Sequence, residues 1–222
     1  NKIYDNNISK DNPDNFLDSL KKAAHVHKIV RYEVQSMIRP GIDLLNLSNT
    51  IEKKVRTLLD NRGYNHGNGF PTGLSVDNCA AHWTPHYNQS KILKQDSVLK
   101  VDFGVQVNNW IIDSAFTIAF DPKYQPLLDA VKEATQTGIK NARIDMKINH
   151  WGGLIQEVME SHEVELNQKM HPVKVVKNLT GHNIVKGKIH GGIFLPCFNY
   201  PGTHDRFKPG VYAIETFGST GN

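Results

Sequence analysis

The sequence predicts an α/β protein of the α+β kind, with helices packed on one face of a largely antiparallel sheet. Two observations predict it. Paired stretches of helical apolar periodicity are followed by short apolar runs of strand character, and this order occurs twice along the 222 residues. In addition, "KVDFGVQV" at 100–107 runs through Asn108-Asn109 into "WIIDSAFTIAF", which reads as a long hairpin.

The elements follow in order. Asn12 as N-cap with Pro13 at the first helical position opens a helix. Phe16, Leu20, Ala23, Val26, Val30, Val34 and Met37 recur on one of its faces, and "RPG" at 39–41 stops it. A second helix carries Ile51, Val55 and Leu58 on one face and ends near Gly63. Residues 67–85 are rich in Gly, Pro and Asn, with strand fragments, and the hairpin comes next. A third helix is predicted over 124–141 and a fourth within 154–163. From Val173 onward the chain reads as short strands and loops: "PVKVVKNLTGHNIV", "KIHGGIFLP" and "GVYAIETFG". No repeat or low-complexity linker divides the chain, so one domain is expected over 1–222, with 1–13 a polar N-terminal segment.

Composition sets the class. Hydrophobic content of 39% with 22% charged residues is that of a globular chain, not a disordered one. The net charge of +4 is spread along the chain, which argues against a specific nucleic-acid footprint. No apolar run approaches the roughly 18 residues a membrane span needs. Cys79 and Cys197 are too few for a disulfide framework and read as reduced thiols in a cytoplasmic protein.

Asp102 and Asp113 sit inside the hairpin, although Asp is depleted in strands and a buried carboxylate is costly unless paired. A turn centred on Asn108-Asn109 sets Asp102 opposite Ala115, with Asp113 its diagonal neighbour on the same face. A turn centred one residue earlier sets the two aspartates directly opposite. Either register puts the carboxylates side by side, where they repel unless solvated or joined by a cation. His182 in "NLTGHNIV" and Glu215 in "GVYAIETFG" are further potential ligands in apolar strands. Two Asp, one Glu and one His suit Mn, Fe(II) or Co, with Zn also admissible, and not a structural zinc. His82, after the small apolar "CAA", and His190, beside glycines in "KIHGG", are placed to handle a substrate carbonyl or a proton. His25, His27, His66, His86, His150, His162, His171 and His204 read as solvated or structural.

The blocks "FPTGLSVDNCAAHWTP", "KVDFGVQVNNWIIDSAFT", "NLTGHNIVKGKIHGG" and "VYAIETFGSTG", in this order, closely resemble the type 2 methionine aminopeptidases of eukaryotes. The resemblance runs from about the first helix to the last residue. It implies the pita-bread fold, a curved antiparallel sheet with helices on one face. It also implies a metalloexopeptidase that removes the N-terminal methionine of nascent polypeptides, using water activated by two divalent metal ions. Carried over residue by residue, it makes Asp102, Asp113, His182 and Glu215 metal ligands, with Asp113 bridging. His82 and His190 become the catalytic histidines, which also contact substrate, and Phe70 and Ile189 line the methionine pocket. A cytoplasmic monomer that meets nascent chains at the ribosome, without membrane attachment, is the corresponding expectation.

The family pattern carries a further bridging Glu, a helical insertion and more pocket residues beyond the "ETFGSTG" strand, and this sequence ends at Asn222 before them. It also begins without a methionine, so a partial or processed chain is expected. Thr180 stands where the animal enzymes are expected to have Asn. The rival readings are a non-catalytic pita-bread protein that binds RNA or partner proteins, and an inactive fragment of the enzyme. Four ligands standing in order favour the enzyme.

Overall fold

The computed structural model describes residues 16–61 and 63–221. The Asn12–Pro13 helix start therefore lies outside the described residues. Two helices come first, α1 (Phe16–Met37) and α2 (Leu44–Leu58). The β-strands β1 (His66–Asn68), β2 (Gly73–Val76), β3 (Val98–Val107) and β4 (Trp110–Ala119) follow. Then come α3 (Gln125–Asn141) and α4 (Ile148–Glu160). The rest is short strands: β5 (Glu163–Leu166), β6 (Lys169–Pro172), β7 (Lys174–Val175), β8 (Thr180–Ile184), β9 (Phe194–Pro196), β10 (Val211–Ala213) and β11 (Gly218–Ser219).

The strand pairings are antiparallel, but they fall into separate sheets rather than one. Strand β3 is central to the first, with β1 and β2 along one edge and β4 along the other. A second sheet has the order β10-β8-β9, and β11-β7 and β5-β6 form two-stranded ladders. Helices α1 and α2 pack on the first sheet; α3 and α4 pack on each other and on β7, β9 and β11.

Each half has its own apolar core. In the first, Ala23, Val26, Val30 and Val34 of α1 meet Leu99, Val101, Phe103 and Val105 of β3. These odd-numbered β3 residues face the helices, so the even-numbered ones, Asp102 and Gly104, face the other way. In the second half, Trp151, Ile155 and Met159 of α4 pack with Ala130 and Ala134 of α3 and with Leu195. The Trp151 indole N–H donates to Gly138 O at 2.9 Å, which satisfies the buried polar atom of that ring.

The hairpin takes the register expected for the Asn108-Asn109 turn. Both residues adopt left-handed backbone, with φ of 51° and 65°, as a tight turn matched to strand twist requires. Asp102 pairs with Ala115, and Gly104 pairs with Asp113. His27, reaching from α1, fixes the hairpin from its core side. Its buried Nε2–H is shared between Phe103 O at 3.0 Å and Ser114 O at 3.1 Å, and its ring stacks on Phe103. Burial holds its pKa below the ordinary histidine value, which keeps the imidazole neutral there.

The third helix occupies the expected span, with Pro122–Tyr124 forming a 3-10 turn capped by Asp121 just before it. The fourth starts at Ile148, well before residue 154. Glycines lower helix propensity, and Gly152-Gly153 concealed the start. Gly152 belongs there because a Cβ would lie 2.3 Å from Pro196 O and 2.4 Å from Phe198 O. Helix α4 can approach that backbone only without a side chain. Among the described residues, no helix is long and apolar enough to cross a membrane.

Candidate metal centre

The face of the hairpin turned away from α1 carries Asp102, Gly104, Ile111 and Asp113, since paired residues of adjacent strands share a face. His182 lies in β8 and pairs with Ala213 of β10. Two residues beyond, Glu215 sits past the end of β10, where the chain crosses to pair β11 with β7. The sequence reading placed Glu215 within a strand; the structure puts it in the connection between two. That connection is fixed from several directions. The buried Cys197 thiol donates to Glu215 O at 2.8 Å, and burial, with the Glu215 charge, pushes that thiol up to about 12, so it stays a donor. Thr216 Oγ1 meets Thr135 Oγ1 at 2.6 Å and donates to Val131 O at 3.2 Å, both on α3.

These elements bring three ligand-type atoms together. One oxygen each of Asp113 and Glu215 and one nitrogen of His182 lie within 4.8 Å of one another. His182 Nε2 is 2.9 Å from Glu215 Oε1 and 3.4 Å from Asp113 Oδ2. Asp102 lies beside them on the same face of the hairpin, near enough that the Asp113 and Glu215 charges act on its carboxyl. Asp102 Oδ1 and Glu215 Oε1 are buried without a well-aligned hydrogen-bond donor, so for Glu215 the His182 contact is one of charge rather than a directed bond.

The electrostatics show a site short of positive charge. Burial, then the Asp113 and Glu215 charges, raise the Asp102 carboxyl to about 8. Burial works to lower the His182 value, but the carboxylates of Asp113 and Glu215 outweigh it and raise it to about 10. Three carboxyl groups around one imidazole, with two orphaned buried oxygens, fit a divalent cation. The sign of the resulting pH dependence is fixed. A ligating carboxyl must lose its proton and a ligating imidazole must be neutral, so loading competes with protons at both residues. Affinity for Co²⁺ is expected to rise with pH between 6 and 8, by about tenfold per unit for each proton released. Calorimetric titrations at pH 6, 7 and 8 check this; a flat affinity would exclude Asp102 and His182 as ligands.

The remaining predicted residues surround this cluster. His190, exposed in the loop between β8 and β9, sets its ring edge-on to His182 with centroids 4.2 Å apart. Phe70 covers Gly104, where a Cβ would sit 2.4 Å from its ring, and Gly104 is the register partner of Asp113. Phe70 and Ile189 both pack on a small apolar cluster of Ile111, Ile184 and Ala213. His82 is exposed and held in left-handed backbone, φ 65°, which is uncommon outside glycine. It is not in the carboxylate cluster itself. The next residue ties it to β2: Trp83 N–H donates to the buried Ser75 Oγ, and Trp83 O accepts from Leu74. A Cβ at Gly73, the partner of Asp102, would lie 3.5 Å from Asp102 Cβ and 4.0 Å from Trp83 O, so the His82 segment borders the cluster across that glycine.

Sequence reasoning missed Ile111, Ile184 and Ala213 as the apolar wall. The signal for Ile111 was present, since strand alternation puts it on the face of Asp113 two residues on. Ala213 carries no such signal; only its pairing with His182 reveals it.

Comparison with known proteins points to one family. A curated "Methionine aminopeptidase 2" of Ajellomyces capsulatus is 54% identical over 216 residues, covering 94% of this chain and 46% of that protein. The "Methionine aminopeptidase 2" of Schizosaccharomyces pombe is 49% identical over 215 residues, covering 96% of this chain and 50% of that protein. The chain thus spans about half the length of the curated relatives it matches. A methionine aminopeptidase structure from Thermotoga maritima shares the fold, with a TM-score of 0.73 at 24% identity over 91% of this chain and 79% of that one. The prolidase of Pyrococcus furiosus superposes with a TM-score of 0.67 at 16% identity, over 90% of this chain and 55% of that one. The pita-bread fold expected from the sequence is borne out. The model of metallopeptidase family M24 matches residues 18–219, nearly the whole chain, and the protein belongs to that family.

Proposed function

We propose that the chain carries the metal centre and methionine pocket of a type 2 methionine aminopeptidase, which removes the N-terminal methionine of nascent polypeptides. The observation that carries the proposal is the convergence of Asp113, His182 and Glu215 within 4.8 Å, against an apolar wall formed by Ile111, Phe70 and Ile189. Relatives about 50% identical and named methionine aminopeptidase 2 support methionine as the residue removed.

Asp102, Asp113, His182 and Glu215 would hold two divalent ions, drawn from Mn, Co, Fe(II) and Zn. Divalent ions bound there supply Lewis acidity and a water nucleophile at neutral pH. The protein supplies the rest. The wall of Phe70, Ile189 and Ile111 accepts an unbranched thioether side chain and excludes water from it. A missing methylene or an added branch is worth only about 1–3 kcal/mol to such a pocket, so discrimination also depends on how the chain end is positioned. His190 and His82 each present an imidazole N–H able to stabilise charge developing on the scissile carbonyl oxygen. The left-handed backbone at His82, anchored through Trp83, fixes that imidazole's approach before substrate arrives. A non-catalytic binding protein would have no use for three carboxyl groups gathered in one buried cluster, a costly arrangement.

The test is release of methionine from Met-Gly and Met-Ala peptides with and without added Mn²⁺ or Co²⁺. Metal-dependent release is expected, with little action on peptides that begin with Leu or Phe. Metal binding without release from any of these peptides would overturn the proposal.

A further inference from the structure

We infer that Asn183 is a positioning residue that sets the loop between β8 and β9, and with it the placement of Ile189 and His190 beside the metal centre; that these two meet substrate rests on the function proposed above. Asn183 follows His182 and closes the base of this loop through its backbone and its side chain. Its N–H donates to Ile193 O at 3.1 Å, its O accepts from Gly191 N–H at 2.8 Å, and its side-chain Oδ1 accepts from Ile193 N–H at 2.8 Å. The far end of the loop is tied separately. Val185 and Lys188 exchange backbone hydrogen bonds, and Gly187 N–H donates to Asn109 O at the turn of the aspartate hairpin. Ile189 and His190 are therefore strung between two fixed points, one on each ligand-bearing element.

The glycines of "HGG" complete the device. A Cβ at Gly191 would lie 2.5 Å from Asn183 Nδ2 and 2.8 Å from its Cγ and Oδ1, so the amide fills the space that any larger residue at 191 would need. Gly192 has φ of +102°, a backbone few other residues adopt, and it turns the chain so that Ile193 N–H meets the Asn183 amide. Asn183 and Gly191 are thus matched. Removing the amide frees the loop, and adding a methyl at 191 displaces the amide.

A double-mutant cycle tests this, read first by hydrogen exchange of the loop amides in the Co²⁺-loaded protein and then by kinetics. Asn183→Ala is expected to speed exchange across 185–193 by about tenfold or more, from the loss of a partly buried hydrogen bond, while amides of β3 stay protected. Gly191→Ala should do the same in the parent but have little added effect in the Asn183→Ala background. Asn183→Asp, which keeps the acceptor for Ile193, should retain most of the protection. For Met-peptide hydrolysis, both single variants should raise KM through Ile189 and lower kcat through His190, with bound Co²⁺ kept. The inference is overturned if loop exchange is unchanged by Asn183→Ala, if the two substitutions add independently, or if Asn183→Ala loses bound Co²⁺ as fully as His182→Ala does. A parent protein that cleaves no Met-peptide would instead sink the proposed activity, and the exchange cycle would still decide the role of Asn183.

Discussion

Asp113→Ala is expected to reduce affinity for divalent cations by more than about a hundredfold and to abolish metal-dependent peptide hydrolysis. Loss of a group that only orients a ligand costs about 10–100-fold in metal affinity, and Asp113 is placed to be a ligand itself. It stands between two other candidates, with Asp102 its diagonal neighbour on the same hairpin face and His182 Nε2 3.4 Å away. A second expectation separates this loss from simple unfolding. The Asp113 charge helps to raise the Asp102 carboxyl to about 8, so in the metal-free protein the two carboxyl groups oppose one another. Asp102's native value lies above its unfolded value. Its contribution to stability is therefore full below the ordinary carboxyl range and is lost as pH rises through about 8. Removing Asp113 relieves that loss but also withdraws a carboxylate that holds His182 charged, so the two effects oppose and metal-free Asp113→Ala should remain folded at pH 8, with the far-UV circular dichroism of the metal-free parent. Metal content and activity equal to the parent's would refute the assignment of the hairpin aspartates.

How much of this was legible in the sequence differs by kind of residue. The hairpin was legible down to two registers, both of which put Asp102 and Asp113 on one face; the structure takes the one centred on Asn108-Asn109, with Asp102 paired to Ala115. The long face of α1 was legible in its middle, where Ala23, Val26, Val30 and Val34 are fully buried. Its ends were not, since Phe16 and Met37 keep apolar periodicity yet remain exposed. Periodicity states which residues share a face, and the length of the neighbouring element decides how many are covered. The β5–β6 hairpin went unread because its strands, "EVEL" and "KMHP", are short and mostly exposed and carry little apolar alternation, although its turn residues Asn167 and Gln168 adopt the same left-handed backbone as Asn108-Asn109.

The metal centre was legible as a set of misplaced polar residues, and for a physical reason. A carboxylate or imidazole among strand apolars is costly, so its presence asks for a partner. What holds those residues carries no such cost. Cys197, Thr135 and Thr216 fix Glu215, and Asn183 with Gly191 closes the loop under His190, through contacts ordinary in composition and visible only in space.

His82→Ala is expected to lower kcat for Met-peptide hydrolysis by about 10²–10⁴-fold, the usual contribution of one positioned proton-handling side chain, while metal content stays at the parent's level. The separation follows from where His82 lies. It is outside the Asp113, His182 and Glu215 cluster and is joined to it only across Gly73, beside Asp102. Its side chain is exposed, so truncation leaves no buried cavity, and heat stability should change little. Its backbone makes the conservative replacement informative. At φ 65°, Asn is tolerated far better than a β-branched residue, so His82→Asn should keep the local conformation and retain a hydrogen-bond donor. If His82 acts by donating to the carbonyl oxygen, Asn should recover part of the lost kcat. If it acts by moving a proton, Asn should be as poor as Ala. Metal analysis, melting curves and the kcat values of the two variants distinguish these cases. Unchanged kcat in His82→Ala would remove His82 from the chemistry altogether and leave His190 as the remaining donor beside the metal centre.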